Sequence, residues 1–251
     1  MNTPSTNVPT KFLIITRGRT GSNFLFSLFD SHPRIRHYSE IISPRRLRNK
    51  KGFKEEIVAR GSVAFFKKCF EPVDKELTVG MKFHYHHFHE NYGKKWDIPD
   101  LYQTLDYFVS DRSIKILHLK RRNILKTLIS VRVSDQTKQY VLRNESERKN
   151  DIRIKLAMAD CRREFRQTRE NEKKSDGLFR HHEVLEVAYE DLVDEETATC
   201  NRILDFLRVP RHPMASKIFQ RNTRSLRDVV ENYEKIKNKI AGTSREVFFE
   251  E

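Results

Sequence analysis

The amino-acid sequence predicts an α/β fold, a three-layer domain in which a central parallel sheet of about five strands lies between helices. Three observations predict it. Short apolar runs with β-branched members recur near residues 12–16, 35–38, 77–83, 113–119 and 184–189, each long enough for a buried strand and too short for a helix. At three of them the run passes through a polar turn into a segment whose apolar residues recur at helical spacing. The 251 residues suffice for one sizeable core, and although hydrophobic residues make up 37% against 33% charged, they are grouped instead of diluted. A polar, proline-containing arm over residues 1–10, expected to be disordered, precedes a single domain over 11–251.

Phe12, Leu13, Ile14 and Ile15 form the first strand, and Phe24, Leu25, Leu28 and Phe29 mark the helix that follows, with Ser22 or Asn23 placed to cap its first turn. Between them lies Arg17-Gly18-Arg19-Thr20-Gly21. Two glycines let the backbone turn tightly, so backbone N–H groups, the positive end of the helix dipole, two arginines and the hydroxyls of Thr20 and Ser22 converge on one anion. Phosphate or sulfate fits such a cradle. The triphosphatase pattern GxxxxGK[ST] is not met, because no lysine follows Gly21 and Arg19 precedes it, which weighs against Mg-dependent nucleotide hydrolysis.

Ser31-His32-Pro33 breaks the chain after that helix, and the second strand ends near Glu40, a carboxylate able to serve as general base on the edge that carries the loop. A basic surface segment covers 44–51. A helix over 54–70 carries Ile57, Val58, Phe65 and Phe66 as core positions and Gly61 as its weak point. The third strand leads into His84-Tyr85-His86-His87-Phe88-His89-Glu90, in which His84 and His86 share a face if the strand continues. Four histidines in six residues invite a metal. No cysteine lies nearby and no acidic partner stands at a recognisable spacing, so the reading is no metal, with a single histidine beside Lys82 as proton acceptor near neutral pH.

Residues 99–109 read as a helix with Leu101, Tyr102, Leu105 and Phe108 on its apolar face. The fourth strand alternates, with Ile114, Ile116, His118 and Lys120 on one face and Leu117 and Leu119 on the other. It runs into Arg121-Arg122-Asn123 and a helix over 124–134, so that Ser130 follows Arg122 by eight residues, two helical turns. Residues 151–174 read as a long charged helix with Ile152, Leu156, Ala159 and Phe165 inward, and the last strand passes through Glu190-Asp191-Leu192 into a helix carrying Ile203, Leu204 and Leu207.

Forty-nine Lys and Arg against 35 Asp and Glu give net +14, which favours anionic partners without choosing among a nucleotide, an acidic glycan, nucleic acid and a membrane surface. Three widely spaced cysteines form no CxxC pair, so neither a disulfide framework nor a zinc site is indicated and a reducing cytoplasm is the expected location. No stretch is long and apolar enough for a signal peptide or a membrane span.

At this point the sequence resembles a family. Arg19-Thr20-Gly21-Ser22-Asn23-Phe24 looks like the 5′-phosphosulfate loop of sulfotransferases that use 3′-phosphoadenosine 5′-phosphosulfate (PAPS), and Arg122 with Ser130 looks like their 3′-phosphate motif. The resemblance implies a P-loop-like fold, PAPS as donor, no metal, and a hydroxyl-bearing small molecule or glycan as acceptor. It places Thr20, Gly21, Ser22 and Asn23 around the 5′-phosphate, Phe24 against adenine, Arg122 and Ser130 on the 3′-phosphate, and Tyr189, from Tyr-Glu-Asp-Leu, beside the adenine. Thr223 and Arg224 lie where the family completes its nucleotide site. Arg19 follows the carbohydrate-type members, including nodulation-factor and trehalose sulfotransferases, where many small-molecule members have lysine. Asn23 and Phe24 depart from the Thr-Trp of the cytosolic branch, as Ile124 departs from its proline.

Two bases are on offer. Lys82-Phe83-His84 is similar to the Lys-Thr-His segment of the cytosolic enzymes, whereas Glu40 matches the glutamate that follows the second strand in carbohydrate-type members and is ranked first because Arg19 sides with that branch. The expected reaction is sulfuryl transfer to an acceptor hydroxyl, with Glu40 or His84 taking the proton and Arg19 neutralising charge on the bridging oxygen. The alternatives are a non-catalytic polyanion or nucleic-acid binder, motivated by net +14, and a nucleotide-dependent kinase, weakened by the missing lysine. On the first reading no nucleic-acid partner is expected.

Overall fold

A computed structural model describes residues 9–49, 52–73, 78–149, 151–218 and 224–249. Its centre is a five-stranded parallel sheet of β1 (Thr10–Thr16), β2 (Ile35–Tyr38), β3 (Thr78–His84), β4 (Lys115–Lys120) and β5 (Val184–Ala188), in the order β2-β3-β1-β4-β5. All four neighbouring pairs are parallel, with Thr16 registered on His84 in β3 and on Leu119 in β4. Every strand therefore ends on the same edge. The strands match the expected positions, and β1 starts at Thr10, one residue inside the expected arm; residues 1–8 lie outside the described residues.

The central strands are apolar on both faces because both faces are covered. Leu13, Ile15, Met81, Phe83 and Ile116 pack on one side against Ile41, Phe66 and Phe108, while Phe12, Ile14, Leu117 and Leu119 pack on the other against Leu25, Phe29, Ile203 and Leu207. Helices Ser62–Cys69 and Leu101–Ser110 lie on the first face, and helices Ser22–Phe29 and Glu196–Leu207 on the second. A further cluster joins Ile124, Leu128, Phe165, Val230 and Tyr233 beyond β4. Phe12 is accommodated by its register partner Gly80, where a Cβ would stand 2.1 Å from the ring.

Several expectations shift by local backbone chemistry. The segment expected as one helix over 54–70 is two, Phe53–Arg60 and Ser62–Cys69, broken at Gly61, which adopts φ 76°, ψ 142°. Val58 and Tyr102, expected inward, are exposed. The helix expected from Asp151 starts at Met158, because Ile154 instead forms a parallel bridge with Val230. Strand β3 stops at His84 and residues Tyr85–Phe88 turn as a 3₁₀ helix, so His86 does not continue the strand face. Among the described residues no helix is long and apolar enough to cross a membrane.

Candidate active site

Arg19, Glu40, His84, Arg122 and Tyr189 each stand at or just beyond the carboxyl end of a different strand, and the parallel sheet brings all five to one edge, where ligands of such sheets bind. They fall into two groups. One lines a cavity of about 500 Å³ beyond β1, β4 and β5, a volume suited to a nucleotide. The other surrounds Glu40 beyond β2 and β3.

The loop after β1 is braced from within. Thr20 is buried, and its hydroxyl bonds Thr16 Oγ1 and the Arg17 carbonyl, so it does not line the cavity as the sequence suggested. Arg19 takes a left-handed conformation at φ 71°, and Gly21 another at φ 85°. Gly21 is obligatory for a second reason: a Cβ there would stand 2.1 Å from Tyr189 Cδ2. Gly21 is also the N-cap of helix Ser22–Phe29 without any side-chain cap, so neither Ser22 nor Asn23 caps it and the first-turn N–H groups stay open for an anion. Arg17 leaves the cradle altogether, bonding Glu164 at 2.6 Å.

Arg19, Gly21, Ser22, Asn23, Phe24, Arg122, Ser130 and Tyr189 all line the cavity. Arg19 Nε donates to Ser130 Oγ at 3.1 Å and Nη1 to the Tyr140 carbonyl at 2.8 Å, so the loop after β1 meets the helix Ile124–Thr137 across 111 residues of sequence. Burial and the neighbouring charge of Arg121 lower the Arg19 pKa, yet a guanidinium stays charged at neutral pH. Arg122 is largely exposed and forks onto Asp191 at 2.6 and 2.9 Å, a contact for which a phosphate would compete. Tyr189 is packed between Gly21 and the Arg121 guanidinium, 4.7 Å from its ring centre. Phe24 is half-buried at the wall. Arg224 also lines it while donating to the Ile152 and Asp228 carbonyls; Thr223 lies outside the described residues.

Glu40 is the centre of the second group. Lys82 Nζ stands 3.6 Å from Oε2, while His84 Nδ1 and His87 Nε2 lie 3.7 and 3.4 Å from Oε1. Burial pushes the Glu40 carboxyl up, but the proton held by His87, the charge that His84 takes on in acid and the charge of Lys82 prevail and hold it well below the usual carboxylate range. Burial lowers His84 and His87 against the pull of Glu40, so both rings are neutral at pH 7 beside an ionised carboxylate. The acidic partner that the histidine run lacked in sequence is therefore Glu40, about forty-five residues upstream. Lys82 joins the two groups, donating to Ser22 Oγ at 3.3 Å and Asn23 Oδ1 at 3.4 Å.

Three side chains belong to the site without having been singled out for it. Lys82 was signalled by the Lys-x-His spacing, and His87 by the histidine run. Arg121 had no signal beyond adjacency to Arg122; it is half-buried, donates to the Arg19 carbonyl at 3.3 Å and covers Tyr189.

An anion loop, a nucleotide-sized cavity and a half-buried carboxylate share one sheet edge, an arrangement suited to group transfer. The sequence matches the family described as the sulfotransferase domain over residues 9–251, and the chain belongs to that family. It is similar to Nodulation protein H of Rhizobium tropici, 25% identical over 96% of this chain and 94% of the relative, and to Nodulation protein H of Rhizobium meliloti, 24% identical over 99% and 98%. A sulfotransferase from Alicyclobacillus acidocaldarius shares the fold, with a TM-score of 0.51 at 14% identity over 93% of this chain and 91% of that one. The chain is thus a sulfotransferase with the P-loop-like architecture of its class.

Proposed function

We propose that the protein transfers a sulfuryl group from PAPS to a hydroxyl of a carbohydrate or glycoconjugate, in a reducing cytoplasm. The observation that carries the reading is the Arg19–Ser130 contact, which joins the two phosphate motifs over one nucleotide-sized cavity. The chemistry of the wall fits the donor: cations and open helix-end N–H groups for phosphates, Phe24 and Tyr189 for a purine, and a buried Arg121 Nε with no hydrogen-bond partner among the described residues. Bound PAPS would supply the activated sulfuryl group.

Ser22, Asn23 and the Gly21 N–H hold the 5′ end, Arg122 and Ser130 the 3′-phosphate, and Arg19 neutralises negative charge growing on the bridging oxygen. Lys82, between Glu40 and Ser22, adds a second cation facing the same place. Glu40, ionised at neutral pH, accepts the proton of the acceptor hydroxyl, and His84 orients the acceptor. The scheme requires no metal. The resemblance of Arg19 and Glu40 to the carbohydrate-type members supports a glycan acceptor. Purified protein incubated with radiolabelled PAPS and glucose, N-acetylglucosamine, trehalose or cellobiose tests the reading. Label transferred to sugar and lost in Glu40→Gln supports it; label transferred only to non-carbohydrate hydroxyls refutes the acceptor class.

A further inference from the structure

His87 has a fully buried side chain packed among the rings of His84, His86 and Tyr92. Its Nδ1 accepts a hydrogen bond from the backbone N–H of His84 at 3.2 Å. An accepting imidazole nitrogen carries no proton, so in the neutral ring the proton sits on Nε2. That atom is buried without a formed hydrogen bond among the described residues, and Glu40 Oε1, 3.4 Å away, is the acceptor within its reach. The backbone of β3 thereby dictates which tautomer faces the carboxylate.

We propose that His87 is a positioning residue for Glu40, an inference that rests on Glu40 being the general base. By presenting Nε2–H to Oε1, His87 fixes the carboxylate and leaves Oε2, on the Lys82 side and hence toward the sulfuryl loop, as the oxygen that receives the acceptor proton. Glu40 is faced by Lys82 and His84 from β3, by His86 and His87 from the turn after it, by Tyr92 from the next helix and, across Lys82, by Arg19 and Arg46. His84 and His87 each accept the other's backbone N–H, and of the two it is His87 that sets Nε2 beside the carboxylate.

The same atoms weigh against a metal. Glu40, His84, His86 and His87 offer ligand atoms within 4.8 Å of one another. His87 Nε2 can ligate only by losing the proton it holds, because Nδ1 faces a backbone donor, and the Lys82 ammonium 3.6 Å from Glu40 repels a dication.

The test compares wild type, His87→Asn, His87→Gln and Glu40→Gln. Asparagine keeps an acceptor at the Nδ1 position and loses the donor at Nε2; glutamine restores a donor there. With radiolabelled PAPS and the sugars named above, His87→Asn lowers kcat by ~10-fold or more, leaves KM and binding of the desulfated product PAP unchanged, and moves the acid limb of kcat to higher pH. His87→Gln recovers most of the rate and the limb. Nitrogen NMR of the imidazoles in the wild-type protein shows His87 protonated at Nε2 alone, a readout that needs neither acceptor nor variant. A ring protonated at Nδ1 overturns the proposal. So does wild-type kcat and acid limb in His87→Asn while Glu40→Gln is inactive. An active Glu40→Gln removes the general base itself, and the positioning role falls with it.

Discussion

Replacing Lys82 by methionine removes a buried cation while keeping much of its shape, and its effect is read at Glu40. At a separation of 3.6 Å and an effective dielectric constant of about 20, the pair interacts by about 5 kcal/mol. One pH unit corresponds to about 1.4 kcal/mol, so the full interaction would move the carboxyl by about 3 units. Glu40 is partly open to solvent, with a side chain 23% exposed, and His84 and His87 remain in place, so a rise of about 1–2 units is expected after screening. The sign follows from the depressed pKa: loss of a cation that favours the ionised form raises it. Carbon NMR of carboxyl-labelled glutamates, with Glu40 assigned by its disappearance in Glu40→Gln, follows the midpoint directly. The acid limb of kcat/KM should rise in parallel, together with a fall of ~100-fold in the plateau if Lys82 faces developing charge. An unmoved Glu40 midpoint in a folded Lys82→Met protein refutes the electrostatic account of this cluster.

Arg19→Ala should reduce turnover by ~100-fold or more with a smaller change in PAP affinity, and Arg19→Lys should recover part of it; near-normal turnover in the alanine variant would mean that the loop binds an anion without acting on it. Gly80→Ala drives a Cβ to 2.1 Å from the Phe12 ring and should destabilise the fold by ~1–3 kcal/mol, lowering Tm by roughly 3–10 °C; adding Phe12→Leu should cost less than the sum of the two single changes, because the atoms in conflict are the ones removed. His118 is buried, and burial, with the Lys120 charge beside it, outweighs the hydrogen bond to Asp176 and lowers its pKa to about 4. The unfolded chain therefore binds a proton that the folded one refuses between pH 6.5 and 4, so stability is present above 6.5 and falls as pH drops through that window, by about 3 kcal/mol for this group. Thermal melting of wild type and His118→Gln across that range checks it, the variant showing the shallower acid decline.

The sheet was legible because its strands are buried on both faces, which leaves short β-branched runs that no helix could explain. The loop after β1 was legible because only glycine tolerates the backbone and the packing required at position 21. Partners distant in sequence were not legible. Thr20 turns inward because Thr16, the last residue of β1, offers it a buried partner. Residues 151–157 stay out of the helix because Ile154 pairs with Val230, far along the chain. Glu40 and His84 were each readable as a base, but their contact, and the roles of Lys82 and His87 between them, exist only once β2 and β3 lie side by side.

The central claim, that the cavity beyond β1, β4 and β5 holds PAPS, is tested most directly by calorimetric titration with PAP, using AMP and ATP as comparators and Arg122→Ala as the control. Saturable one-to-one binding of PAP is expected, stronger than that of AMP, with Arg122→Ala weakening PAP by ~1.5–3 kcal/mol and AMP much less. Absence of PAP binding, or equal losses for PAP and AMP in the variant, would contradict it.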